Sequence, residues 1–185
     1  MKEYFNQYRP FLFFLAKFAV SYLVLAFLYQ SYLNQFDEKN FEVDGFTKLV
    51  ADQSQKVLSV FDTHSYTMSN PREASVKLFY HNTWVARIIE GCNALSIIIL
   101  FVSFVIAFTG KFKPTFLFIV IGSLMIHVFN VLRIALLCIA IFHYPEYQHI
   151  LHGVIFPLFI YGIVFLLWIV WVNKYSFYAE KITKK

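Results

Sequence analysis

Three features of the sequence predict an all-α integral membrane protein. It has about four transmembrane helices in a bundle and a small extracytoplasmic helix-plus-hairpin insertion between the first and second. The first feature is composition. Of 185 residues, 59% are hydrophobic and only 15% charged, whereas a soluble domain carries about a quarter charged residues. The mean hydropathy of +0.59 makes lipid the natural solvent for the surplus apolar surface. The second feature is four long apolar runs, each near the roughly 20 residues a helix needs to cross the hydrocarbon. The third is the placement of the charges. Residues 31–91 hold eight acids against six bases, and the basic excess sits at Lys2, Arg9, Lys111, Lys113, Lys174, Lys181, Lys184 and Lys185, all bordering apolar runs. The net charge of +5 is therefore a topology signal and not a nucleic-acid footprint.

The chain reads as one membrane domain over 1–185. The first span, 11–29, follows a basic start and lacks a small-x-small cleavage site, so it reads as an uncleaved signal anchor whose Lys17 snorkels to the basic side. The second span, 94–109, ends at Gly110-Lys111-Phe112-Lys113. The third opens at Pro114, a residue favoured in a first helical turn, and runs to about 142. The fourth, 154–172, is closed by Asn173-Lys174. Short basic loops stay in the cytoplasm, so the two termini and 110–113 are expected inside. The insertion 31–91 and the loop 143–153, which has no Lys or Arg, are expected outside. Cys92 and His152 then open their helices on the outer face.

Within the insertion, residues 43–61 place Val43, Phe46, Leu49, Val50, Val57, Leu58 and Phe61 mostly at helical spacing, with Lys48, Asp52 and Lys56 along the polar face. One amphipathic helix on the membrane surface or the bundle is expected. Residues 75–80 and 83–89 read as two strands around a tight turn at His81-Asn82, and the second strand leads directly to Cys92.

In the third span His127, Asn130 and Arg133 recur every three residues and form one polar stripe. An Arg in hydrocarbon costs about 2.5 to 3.5 kcal/mol even on the lenient insertion scale, which makes it a candidate for function. Arg133 lies 19 residues beyond Pro114, about 28 Å at 1.5 Å per residue, at the expected depth of Cys92 and His152. A helix N-terminus and a nearby guanidinium both favour the thiolate, which is the nucleophile. Imidazole can take the thiol proton and return it to a leaving amine, and Arg can hold an oxyanion but cannot act as a base. The three together suit acyl transfer through a thioester.

Other readings compete. A membrane Cys is commonly an inert small hydrophobe, which is how Cys138 reads, and a Cys92 to Cys138 disulfide is a rival use of the two thiols. Glu90 reads as a helix-start carboxylate or as an assistant to the chemistry. His149 and His152, three apart, have the spacing of two metal ligands but come without HExxH or CxxC, so no metal or other cofactor is predicted. His64 and His81 read as turn residues facing water. A small b-type haem or quinone protein, with His127 and His149 or His152 as ligands, is the rival from another class. A noncatalytic assembly partner, its polar stripe gluing helices together, is a second.

The run Arg87-Ile-Ile-Glu90-Gly-Cys92-Asn93-Ala94-Leu-Ser96, then Asn130-Val-Leu-Arg133, then His152-Gly-Val-Ile-Phe-Pro resembles the exosortase/archaeosortase family, most of all its short exosortase F subgroup. The match covers roughly 76–172 and rests on the order and spacing of three motifs. The resemblance implies a multi-span cysteine transpeptidase or endopeptidase in a bacterial inner membrane, its site on the periplasmic side. It implies Cys92, Arg133 and His152 as the catalytic set and the C-terminal sorting tail of exported proteins as substrate: a short motif, a transmembrane helix and a basic cluster, recognised within membrane lipid. Asn130, one turn from Arg133, is expected to orient it. The chain departs from the family where Cys92-Asn93-Ala94 replaces a common Cys-Ser-Gly and where Gly153 replaces an acid after the His. His149 stays open as a substitute for His152.

Overall fold

The computed structural model describes residues 2–37, 40–108 and 110–176, with side chains from Tyr8 onward. Thr109, at the end of the expected second span, and the tail bases Lys181, Lys184 and Lys185 lie outside the described residues. The protein is mostly helical, and three of its helices are long and apolar enough to cross a membrane, as a multi-pass membrane protein requires. They are the part of α1 (Lys2–Leu33) from Tyr8 onward, α4 (Phe112–His143) and a final helix, α5 (Pro145–Tyr175). The run expected as the second span forms α3 (Leu95–Ala107), which at 13 residues is about 20 Å long and short of the roughly 30 Å hydrocarbon thickness.

At one end of the bundle the Trp171 indole donates to the Phe108 carbonyl (3.1 Å), Gly110 pairs with Ser176, and Phe14 of α1 packs on Phe108 at 4.4 Å between ring centroids. At the opposite end Asn93, just before α3, donates to the Tyr29 hydroxyl of α1, and Asn130 of α4 donates to the Cys92 carbonyl. The helices thus run antiparallel in sequence order, and α3 covers the same height as residues 14–29 of α1. Phe101, Val105, Ile126, Ile160, Val164 and Trp171 form the bundle core.

Gly122 of α4 makes room for the Phe101 ring of α3, because a Cβ there would collide with that ring, which is itself fully buried. Gly122→Ala is therefore expected to cost about 1 to 3 kcal/mol despite the better helix propensity of alanine. Thermal unfolding in detergent checks this, and an unchanged midpoint would mean that the two helices can part freely.

The chain between α1 and α3 builds a second core. Asp44 caps α2 (Gly45–Leu58), its carboxylate accepting from the backbone N–H of Phe46 (3.0 Å) and Thr47 (2.9 Å). Val43, Val50 and Leu58 bury against the last four turns of α4, at Val131, Ile134, Ala135 and Cys138. Leu49 and Phe61, expected on the apolar face, are exposed, because the helix ends at Leu58 and turns only a narrow stripe inward.

The sheet has three antiparallel strands in the order β1 (Tyr66–Ser69), β2 (Val76–Tyr80), β3 (Thr83–Ile88). The fold is thus not purely helical, and β1 is a strand the sequence pattern did not announce. Its four residues are too few to show alternation, and Asn70 and Pro71 follow at once. His81 and Asn82, both at positive φ, make the two-residue turn between β2 and β3. Asp62 fastens that turn, accepting from the His81 N–H at 2.9 Å. Desolvation pushes the Asp62 carboxyl up, but hydrogen bonds from His64 and His81 outweigh it and hold the group below its ordinary value.

The 32 residues of α4 span about 48 Å, far more than the hydrocarbon needs. Its first half packs in the bundle and its second half carries the sheet and α2. Asn130 and Arg133 sit where the two cores meet.

Candidate active site

Strand β3 ends at the buried Ile88, Ile89 continues extended, and Glu90–Cys92 close a single 3-10 turn with the Cys92 N–H on the Ile89 carbonyl at 2.9 Å. Asn93 follows, then Ala94 in the left-handed conformation (φ 64°), and only then α3. Cys92 therefore stands three residues ahead of the first residue of α3 and does not sit on its N-terminus. The dipole effect fades within a turn. The positive charge beside the thiol is that of Arg133.

Asn93 is what holds this turn. Fully buried, it donates from Nδ2 to the Tyr29 hydroxyl (3.1 Å) and to Thr47 Oγ1 (3.0 Å), and its Oδ1 accepts from the Leu95 N–H (2.9 Å). One side chain thereby ties α1, α2 and α3 beneath Cys92. Glu90 opens the 3-10 turn, the helix-start position that the sequence suggests for it. Its carboxylate accepts from Tyr29 Oη and lines a different cavity with Gln30, Asn34, Glu42 and Asp44, on the side of the turn away from Cys92.

The left-handed backbone at Ala94 costs a residue with a Cβ about 1 to 2 kcal/mol, and glycine avoids that cost at the price of a more flexible unfolded chain. Ala94→Gly is expected to leave stability unchanged or raise it by up to about 1 kcal/mol, and Ala94→Val to lower it by more than 1 kcal/mol. Melting of the two variants side by side reads this. A glycine variant less stable than the valine one would contradict the backbone assignment.

Asn130 is fully buried and has two tasks. Its Nδ2 donates to the Cys92 carbonyl (2.8 Å) and its Oδ1 accepts from Arg133 Nη1 (3.2 Å), so one amide fixes the thiol-bearing turn and the guanidinium relative to each other. Arg133 is half-buried, and its Nε–H is buried without a hydrogen-bond partner. Leaving a buried donor unpaired costs about 1 to 3 kcal/mol, which is the kind of expense that binding sites carry. Cys92 and Tyr161 are close enough to act on Arg133 electrostatically. Tyr161, in the middle of an apolar run, gave no signal in the sequence.

Cys92, Arg133 and His152 line one cavity of about 270 Å³, closed by β3, α4 and the start of α5. His152 lies in a widened turn, Leu151–Ile155, just before Pro157. Proline offers no N–H to the carbonyl of Gly153 and crowds it, which accounts for the local π-type geometry. His149 does not reach this cavity and lines a neighbouring one with Pro145, Glu146 and His152. Gln148, which carried no motif, does line the Cys92 cavity. Cys138 forms part of the wall, fully buried, and both thiols are free.

The first residue of the polar stripe goes elsewhere. His127 Nε2 lies 2.7 Å from Gln53 Oε1 and its ring packs on Phe46, so it faces α2. Six residues at three-residue spacing drift round the helix, which separates His127 from Arg133 by about 9 Å along the axis and by face. No group of three or more His, Cys, Asp or Glu among the described residues is placed to hold a metal ion. No family model, curated protein or solved structure matches the chain.

Proposed function

We propose that the protein is a membrane cysteine transpeptidase or endopeptidase of the exosortase/archaeosortase type, which removes C-terminal sorting tails from exported proteins. The observation that carries this is the convergence of Cys92, Arg133 and His152, from three separate elements, on one cavity. Ala94 adds support, since its left-handed backbone is what glycine accommodates best and glycine is common in the family at that position. In this reading α3 is a fourth, short span. The basic loop 110–113 faces the cytoplasm of a bacterial inner membrane, and the layer built from α2 and the sheet lies in the periplasm.

His152 takes the proton from Cys92 Sγ, and the thiolate attacks the scissile carbonyl carbon. Arg133 stabilises the oxyanion. The C–N bond breaks, the amine of the released tail receives the proton from His152, and the exported protein remains as a Cys92 thioester. Water, an amine or a hydroxyl gives its proton to His152, attacks the thioester and expels Cys92. The tail, itself a membrane helix, reaches the site laterally through lipid.

The two histidines supply the test. C-terminal peptide mapping of envelope proteins from cells carrying His152→Ala is expected to find tails uncut, with processing slowed about 10² to 10⁴-fold, the worth of a general acid-base group. His149→Ala should process normally. If His149→Ala accumulates precursor and His152→Ala does not, the acid-base assignment is wrong. If neither variant changes any tail while both insert stably, proteolytic sorting loses its support. The haem reading would need His127 released from Gln53, and a Soret band in purified protein would revive it.

A further inference from the structure

We infer that the open edge of β3 is the docking site for the substrate, which adds to the sheet as a fourth strand parallel to β3. This inference rests on the transpeptidase reading and names how the stretch just before the partner's membrane helix is held.

Residues 85–89, five in succession, line the Cys92 cavity. Side chains of a strand alternate between its two faces, so consecutive residues border one space only when the strand presents its backbone edge to it. β3 ends the sheet on this side, since the order is β1, β2, β3, and β1 does not border the cavity. An edge offers a row of N–H and C=O groups, and proteins blunt edges they do not use with Lys, Pro or covering elements. β3 contains neither Lys nor Pro, and its one charge, Arg87, is drawn to Glu73 (2.6 Å). The Trp84 indole donates to the Ala86 carbonyl (2.9 Å), a bond that a docked strand shares or displaces. Trp84 and, immediately beyond the strand, Ile89 are exposed. The register shift opposite Leu78 and Phe79 makes Val85 the extra residue of β3 beside the cavity, where bulges commonly re-aim a side chain.

Direction follows from the packing. The turn at the top of β3 lies against the end of α4, with Tyr80 and His81 within 5.3 and 5.1 Å of the Phe142 ring centre. The bottom is held at Asn130 through the Cys92 carbonyl. Twelve residues of helix separate these points, about 18 Å, so β3 descends towards the bundle. A partner whose exported part comes first and whose membrane helix comes last must descend the same way, hence parallel pairing. Main-chain hydrogen bonds then supply affinity, and the chain leaving the edge at Ile89 meets Cys92 next. A cavity of about 270 Å³ takes only a few residues of such a strand, those around the scissile bond.

The test uses the full chain in cells, with Cys92→Ala to hold substrate uncut and the photocrosslinker p-benzoylphenylalanine at Trp84, at Ile89 or, on the opposite edge, at Met68. All three positions are exposed. Adducts are mapped by mass spectrometry. Trp84 and Ile89 are expected to capture the stretch preceding the membrane helix of proteins whose tails stay uncut, with yields at least about tenfold above Met68. The Ile89 adduct should fall about five residues nearer that helix than the Trp84 adduct, as parallel pairing requires. Equal capture at Met68, the reverse order, or no capture from β3 while uncut tails accumulate would overturn the edge site and leave the transpeptidase reading standing. If no uncut tail accumulates, both fall.

Discussion

Cys92→Ala is expected to abolish tail release, with a loss of at least about 10³-fold, because a methyl group cannot form the covalent intermediate. Cys138→Ala should process within a few-fold of wild type. The second thiol lines the same cavity, but it is fully buried in the core beneath the sheet and its loss only empties a small volume. Cys92→Ser separates catalysis from packing, since it keeps the size of the side chain and replaces a strong nucleophile with a weak one. Under the assembly-partner reading it is silent, and under the transpeptidase reading it is nearly as inactive as alanine. Alkylation by N-ethylmaleimide gives a second, independent readout. Half-exposed Cys92 is expected to take up one equivalent in folded protein while Cys138 stays unmodified. Faster labelling of Cys138, or full processing by the serine variant, would remove Cys92 from the centre of the mechanism.

Much of this arrangement was legible in the sequence, and the reasons differ residue by residue. The apolar runs of α1, α4 and α5 announced themselves by length alone, because lipid permits little else. Counting residues along α4 put Arg133 at the depth of Cys92 and His152, and the cavity they share follows from that common depth. Asn130 was expected to orient Arg133 and does bond to it. Its second bond, to the Cys92 carbonyl, depends on a contact 38 residues away in sequence that no local pattern encodes. Three-residue spacing misled at His127, since six residues carry the side chain round to α2 and Gln53. Glu90 does open a short helix, as a helix-start carboxylate would, but its bond from Tyr29 Oη depends on a contact 61 residues away in sequence that no local pattern encodes. Strand β1 was too short to leave a period. The helix α3 begins one residue later than the apolar run, because hydropathy does not register the left-handed backbone at Ala94.

Arg133→Ala is the second change from which a large effect is expected, a fall of about 10² to 10³-fold in tail release, the usual worth of one oxyanion donor. Arg133→Lys should recover only a small part of it. A lysine keeps the charge, but it is a single point on a flexible stem, whereas the guanidinium binds Asn130 Oδ1 through Nη1 and still presents its buried Nε–H to the site. If lysine restores full activity, the charge alone matters and the fork geometry is irrelevant. Asn130→Ala tests the same geometry from the other side. It removes a fully buried amide and leaves the Cys92 carbonyl and Arg133 Nη1 unpaired, so it should cost about 1 to 3 kcal/mol of stability as well as activity. The two losses are separable. Because one of the two tasks of Asn130 is to hold Arg133, the double variant Asn130→Ala, Arg133→Ala should lose clearly less activity than the product of the two single losses, while its stability falls further. Fully additive losses of activity would mean that Asn130 supports Cys92 alone, and that Arg133 is held in the cavity by some other contact.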